Sequence, residues 1–173
     1  MTYSDSSSAA LTARTIVNEW EEVSIADILW GWGEERFARR IARAIVSART
    51  RKPIQTSREL GELVRGAVPF GYKKGKLHPA TKTFQALRIA VNDEMGALKE
   101  GLSAAWAALG KGGRLAVISF HSIEDREVKR LMLEWSQTGE GMRITKSPLK
   151  PSRSEVLSNP RARSAKLRVI EKV

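Results

Sequence analysis

The chain has no cysteine and only two histidines, His78 and His121. Without thiols there are no disulfides and no thiolate metal sites, and two imidazoles so far apart in sequence do not suggest a zinc ligand set. Long hydrophobic runs are missing as well: none approaches the ~20 residues that a helix needs to span a bilayer. The opening residues, MTYSDSSSAALTAR, hold no apolar block behind a charged lead, so no secretory signal is expected and a cytoplasmic location is. Acidic residues are the remaining scarcity. Nineteen Asp and Glu stand against 30 Lys and Arg, a formal net charge of +11. Such an excess favours a polyanionic partner, because neutralising phosphates releases condensed counterions; the competing reading is a solvated basic surface.

What is present suffices for a core. Apolar residues make up 42% of the 173 positions, which fits one domain, or a small domain joined to part of another. The Ser-rich start over residues 1–10 reads as a poorly ordered lead-in. Thr12 is placed to cap a short helix carrying Ile16 and Val17, and a second segment, VSIADILWGWG, ends at Gly31 to Gly33. Trp20, Trp30 and Trp32 are expected to pack these helices together, with base stacking as the alternative. Glu34 to Arg49 is the clearest amphipathic helix, with Phe37, Ile41, Ala44, Ile45 and Ala48 on one stripe. Arg36, Arg39, Arg40 and Arg43 keep the same period on another face, within ~10 Å along the axis and without intervening acids. Either they are a solvated face or their planar forks bind phosphate oxygens.

Thr56 to Val68 reads as a further helix, capped by Thr56 or Ser57, with Glu59 in its first turn and Leu60, Leu63, Val64 and Ala67 buried. Pro69 ends it. Gly71 to Lys76 follows as a basic loop in which Lys73 and Lys74 are candidate RNA contacts. From His78 a spacing of three and four carries Phe84, Leu87, Val91, Met95, Leu98, Leu102, Ala105 and Leu109 through about seven turns. Gly96 and Gly101 mark the expected place for a kink or break. LAVISF, from Leu115 to Phe120, is a continuous apolar run, the signature of a strand buried on both faces of a parallel sheet. Ser122 and Asp125 then mark a helix start, with Val128, Leu131, Met132 and Trp135 as its buried stripe. A short strand at Met142 to Thr145, a Pro- and Ser-containing loop and an alternating strand at Ser164 to Glu171 complete the order. Leu167 and Val169 fall on one side of that strand, Lys166 and Arg168 on the other. The fold class is α/β.

Four stretches carry a resemblance: GEERFARRIARAIV (33–46), HPATKTFQALRIAVNDE (78–94), GGRLAVISFHSIEDREVK (112–129) and NPRARSAKLRV (159–169). They resemble the bacterial small-subunit ribosomal RNA cytosine-N4 methyltransferases, in the same order, and the likeness runs from Leu11 to Val173. It implies the C-terminal part of a Rossmann-like methyltransferase sheet preceded by a helical inserted domain. Residues 1–80 would be the insert, which helps hold the RNA. Residues 81–173 would return to the sheet as helix, buried strand (114–120), helix and an antiparallel two-strand end. The implied partner is small-subunit ribosomal RNA or the small ribosomal subunit, and the implied methyl donor is S-adenosylmethionine.

This sequence departs from the family at the cofactor. The resemblance calls for a glycine-rich loop after a first strand, an acidic residue after a second and an aspartate motif after a fourth, and none is found here. Gly110 to Gly113 leads into a strand instead of out of one. The chain is therefore expected to be a fragment, inactive alone, with no cofactor-binding residue and no metal site. Ser119, Phe120 and His121, at the carboxyl end of LAVISF, are candidates for an active-site rim. Phe120 is placed to stack on a base and His121 to contact RNA or relay a proton, with helix capping as the competing role. Asp125 reads as part of the helix start. Arg161 and Arg163 are candidate phosphate contacts or simply solvated. The alternative function is a non-enzymatic RNA-binding module; a helical duplex-DNA binder fits the apolar strand poorly.

Overall fold

A computed structural model describes residues 11–73 and 78–173. It is a mixed α/β structure that divides into two compact units, ending and beginning at Glu94 and Met95.

The first unit is helical over its described residues: α1 (Ala13–Glu19), α2 (Glu22–Gly31), α3 (Ala38–Arg49), α4 (Ser57–Ala67), the single turn α5 (Phe70–Lys73) and α6 (Thr81–Asn92). Local chemistry explains the starts. The Thr12 hydroxyl accepts the Thr15 N–H at 3.0 Å and caps α1. At α4, Thr56 accepts from the Glu59 N–H while Glu59 accepts from the Thr56 N–H, a reciprocal box that satisfies two otherwise orphaned donors. Ile16, Ile25, Leu29, Ile41, Ile45, Val64 and Leu87 are fully or almost fully buried in one core.

Several expectations shift here. The helix read from Glu34 begins at Ala38, because Glu34 adopts a positive φ of 48° and Glu35 turns inward, fully buried. Two of the three tryptophans expected in the core lie largely outside it: Trp30 is 67% exposed and Trp32 36%, whereas Trp20 packs against the core. The first half of the expected basic loop is the α5 turn. The long helix from His78 is two helices, broken at Asp93 instead of at Gly96 or Gly101. Asp93 sits in the left-handed region (φ 45°, ψ 45°), and Arg88 grips Glu94 across the break with two bonds of 2.7 and 2.9 Å. α6 packs on α1 and α2, so it lies with the helical unit and the boundary falls after residue 94, not near 80.

The second unit comprises α7 (Glu94–Ala108, its first residue shared with the boundary), β1 (Arg114–Ser119), α8 (Ser122–Gln137), β2 (Gly141–Arg143), α9 (Arg153–Ser158), a 3-10 helix (Pro160–Ser164) and β3 (Lys166–Lys172). The expected order holds, with two short helical segments inside the expected loop. The sheet order is β1-β3-β2. Both pairings are antiparallel, with Val117 opposite Arg168 and Met142 opposite Glu171. LAVISF, expected as a doubly buried strand of a parallel sheet, has only this antiparallel partner among the described residues. Among the described residues β1 is an edge strand, and alternate members Arg114, Ala116 and Ile118 are exposed. An unbroken apolar run does not by itself reveal how many faces are covered. Leu102, Trp106, Val128, Leu131, Met132 and Ile170 form the second core. There Trp106 and Trp135 stack with centroids 4.6 Å apart and planes 8° off parallel. No helix among the described residues is long and apolar enough to cross a membrane.

Candidate nucleic-acid interface

Arg36, Arg39, Arg40 and Arg43 are all exposed, but they do not form the uniform helical strip that their spacing predicts. Arg36 precedes α3. Its guanidinium lies over the rings of Phe37 and Tyr72, 4.8 and 4.9 Å from the centroids. Arg43 reaches Glu22 of α2 at 3.6 Å, an acid that lies 21 residues away and was invisible to the helix's own pattern. Arg39 and Arg40 have no ion pair among the described residues.

The turn before α3 is held from within. The buried Glu35 carboxylate accepts the Phe37 N–H at 2.9 Å and the Tyr72 hydroxyl at 2.7 Å. Burial, then the hydrogen bond and the charge of Glu35, push the Tyr72 phenol up to about 12. Tyr72 also meets Phe37 edge to face, 5.1 Å between centroids. These contacts fix Arg36 and open a cleft of about 450 Å³ between α2 and α3. Its buried members are Ala26 and Ala38; Trp30 and Phe37 supply aromatic surface, and Asp27, Arg36, Arg39 and Arg40 supply charge. Sequence reading missed this site. The signal lay in Asp27 and Trp30, three apart on one face of α2, but a tryptophan in an apolar helix reads first as core.

Of the other basic candidates, Lys73 ends α5 and Lys74 lies outside the described residues. Arg161 and Arg163 are exposed on the 3-10 helix of the second unit.

In that unit, Ser119, Phe120 and His121 do lie together at the carboxyl end of β1, in different environments. Ser119 is buried and Phe120 is 54% exposed. His121, not Ser122, is the N-cap of α8, and its box partner is Glu124, not Asp125. The His121 Nδ1 accepts the Glu124 N–H at 3.3 Å. Its Nε2 is buried, 3.2 Å from Glu124 Oε1 but outside hydrogen-bond alignment. Glu124 Oε2 accepts the N–H groups of Phe120 and His121 at 2.9 and 3.2 Å. Burial would raise this carboxyl; His121 and the Phe120 amide outweigh it and hold Glu124 below its ordinary value.

Asp125 instead joins a buried ion cluster. Arg168 donates to both its oxygens at 2.7 and 3.2 Å, and Lys166 to Oδ2 at 3.0 Å. Arg168 and Ile170 are the buried residues of β3, so a charged side chain occupies the inward face. Alternation placed Lys166 and Arg168 together correctly but did not reveal that this was the inner side. Among the described residues no group of three or more His, Asp or Glu is arranged to hold a metal.

Comparison with known proteins places the likeness along almost the whole sequence. The MraW methylase family matches residues 4–173. Ribosomal RNA small subunit methyltransferase H of Synechococcus elongatus is 52% identical over 95% of this chain and 54% of its own length. The protein of the same name from Deinococcus radiodurans is 53% identical over 93% and 50%, and that from Coprothermobacter proteolyticus is 51% identical over 94% and 53%. The chain thus spans about half the length of the curated relatives it matches. With a match that runs through both the helical unit and the three-stranded unit, the chain belongs to the MraW methylase family.

Proposed function

We propose that this chain is the C-terminal portion of an S-adenosylmethionine-dependent methyltransferase that modifies a cytosine N4 of small-subunit ribosomal RNA. In this reading the second unit is the end of a Rossmann-like sheet and the first unit is a helical insert that holds the RNA. The observation that carries it is the identity of about half the residues with small subunit methyltransferase H proteins across both units. The net charge of +11 and the exposed Arg36, Arg39, Arg40, Arg161 and Arg163 fit an RNA substrate. Phe120 at the end of β1 offers a face on which a base can stack, and His121 stands beside it at the rim.

Two features of the described residues speak against a cradle for the methyl donor. At the carboxyl end of β1, where open α/β sheets hold ligands, the N–H groups of Phe120 and His121 are both taken by Glu124. The glycine cluster before β1 is closed on itself: a Cβ on Gly113 would meet the Gly110 carbonyl oxygen at 2.8 Å. We therefore assign the donor's site to residues outside this chain and derive no step through it. The test is calorimetric titration of S-adenosylmethionine into the 173-residue chain. Absence of binding heat is the expected result; saturable one-to-one binding would mean that residues read here as structural form the donor site.

A further inference from the structure

We infer that the cleft between α2 and α3 binds one unpaired nucleotide, its base stacked on Trp30 and its flanking phosphates held by Arg39 and Arg40. The inference rests on the RNA reading above and goes further, naming where on the chain a base is taken up. Trp30 keeps 67% of its surface exposed, although burying an indole is among the larger apolar gains open to a side chain. Phe37 does not compete for the same role, since its ring already meets Tyr72 and Arg36. The cleft volume of about 450 Å³ lies within the ~300–1,000 Å³ of small-ligand sites.

The charges around the cleft orient the ligand. Arg39 and Arg40 have no acidic partner among the described residues, so phosphate oxygens are their natural complement. Among the described residues Asp27 is the one carboxylate lining the cleft, and it repels phosphate. It accepts instead from an amino group, as an acidic side chain does from cytosine N4. A base is therefore expected to point its donor edge toward Asp27 with the backbone on the arginine side. Cytosine, adenine and guanine carry an exocyclic amine and uracil does not. A base paired within a helix has both faces already stacked and cannot offer one to Trp30.

The experiment is fluorescence anisotropy of the full 173-residue chain with labelled oligocytidylate, oligouridylate and a duplex RNA across a salt series. The expected result is tighter binding of oligocytidylate than of oligouridylate. Trp30→Ala weakens the former on the order of 5- to 150-fold, the range for losing one stacked base, and leaves the salt slope unchanged. Trp30→Phe retains most of the affinity. The Arg39→Gln/Arg40→Gln pair makes the slope shallower by about 1.4, and Asp27→Ala removes the preference for cytosine. Thermal melting of each variant checks that the fold is intact. If Trp30→Ala binds like the parent while the arginine pair still weakens binding, the base site is overturned and the RNA reading stands. If the parent binds none of the RNAs, both fall.

Discussion

At Asp125, burial and pairing pull in opposite directions. Burial raises the carboxyl, but the hydrogen bonds and charges of Arg168 and Lys166 outweigh it and hold the group below its ordinary value. A carboxyl depressed in the folded state stabilises the fold above its unfolded pKa, near 3.9. That contribution is lost as pH falls through the folded value. Urea unfolding at a series of pH values should therefore show a decline below about pH 4 that is diminished in Asp125→Asn. At neutral pH, Asp125→Ala strands the Arg168 guanidinium, only 6% exposed, and should cost about 3–5 kcal/mol. The double change Asp125→Leu/Arg168→Met removes the carboxylate together with the buried guanidinium and should cost less than the single one, since the ion left without its partner, Lys166, has a side chain 30% exposed to water. A double variant as unstable as the single would show that the cluster's shape, not its charge balance, matters.

At the scale of elements, two helices approach each other closely at Gly33. A Cβ there would meet the Leu29 carbonyl oxygen at 2.6 Å and that of Lys82 at 2.8 Å, so the absent side chain lets α6 pass the end of α2. Gly33→Ala should force the two helices apart and lower stability by about 1–3 kcal/mol in denaturant unfolding; an unchanged midpoint would show that the contact yields easily. Elements whose determinants are local were legible in the sequence. The Thr12 and Thr56 caps and the buried stripe of α8 need only residues within a few positions of one another. Features set by distant partners were not. The strand LAVISF was legible as a strand, but its antiparallel partner lies about fifty residues on. The break at Asp93 depends on a backbone conformation that an aspartate does not announce, and its staple joins residues six apart. The arginine period was visible, whereas the engagement of Arg43 by Glu22 and of Arg36 by the ring of Tyr72 arises only when separate helices meet. Trp30 and Asp27 were hidden for the same reason: which face of α2 stays open is decided by what packs on the other.

For the molecule as a whole, β1 matters as an edge. Its outer backbone groups have no strand partner among the described residues, and Ile118 beside them is 59% exposed. An exposed apolar edge is a template for pairing with another chain. Sedimentation velocity of the 173-residue chain should show association that grows with concentration and is reduced by Ile118→Lys, a charge that blunts such edges. A parent that stays monomeric throughout would mean the edge is already protected. The sheet order also sets when this unit can form during synthesis. β1 and β2 are joined only through β3, which follows the end of β1 by about fifty residues. At a synthesis rate of ~5–20 residues per second, the first strand waits roughly 3–10 s for its partner. During that interval LAVISF lacks its antiparallel neighbour, and a translational pause between residues 120 and 166 would lengthen its exposure to chaperones and to other nascent chains.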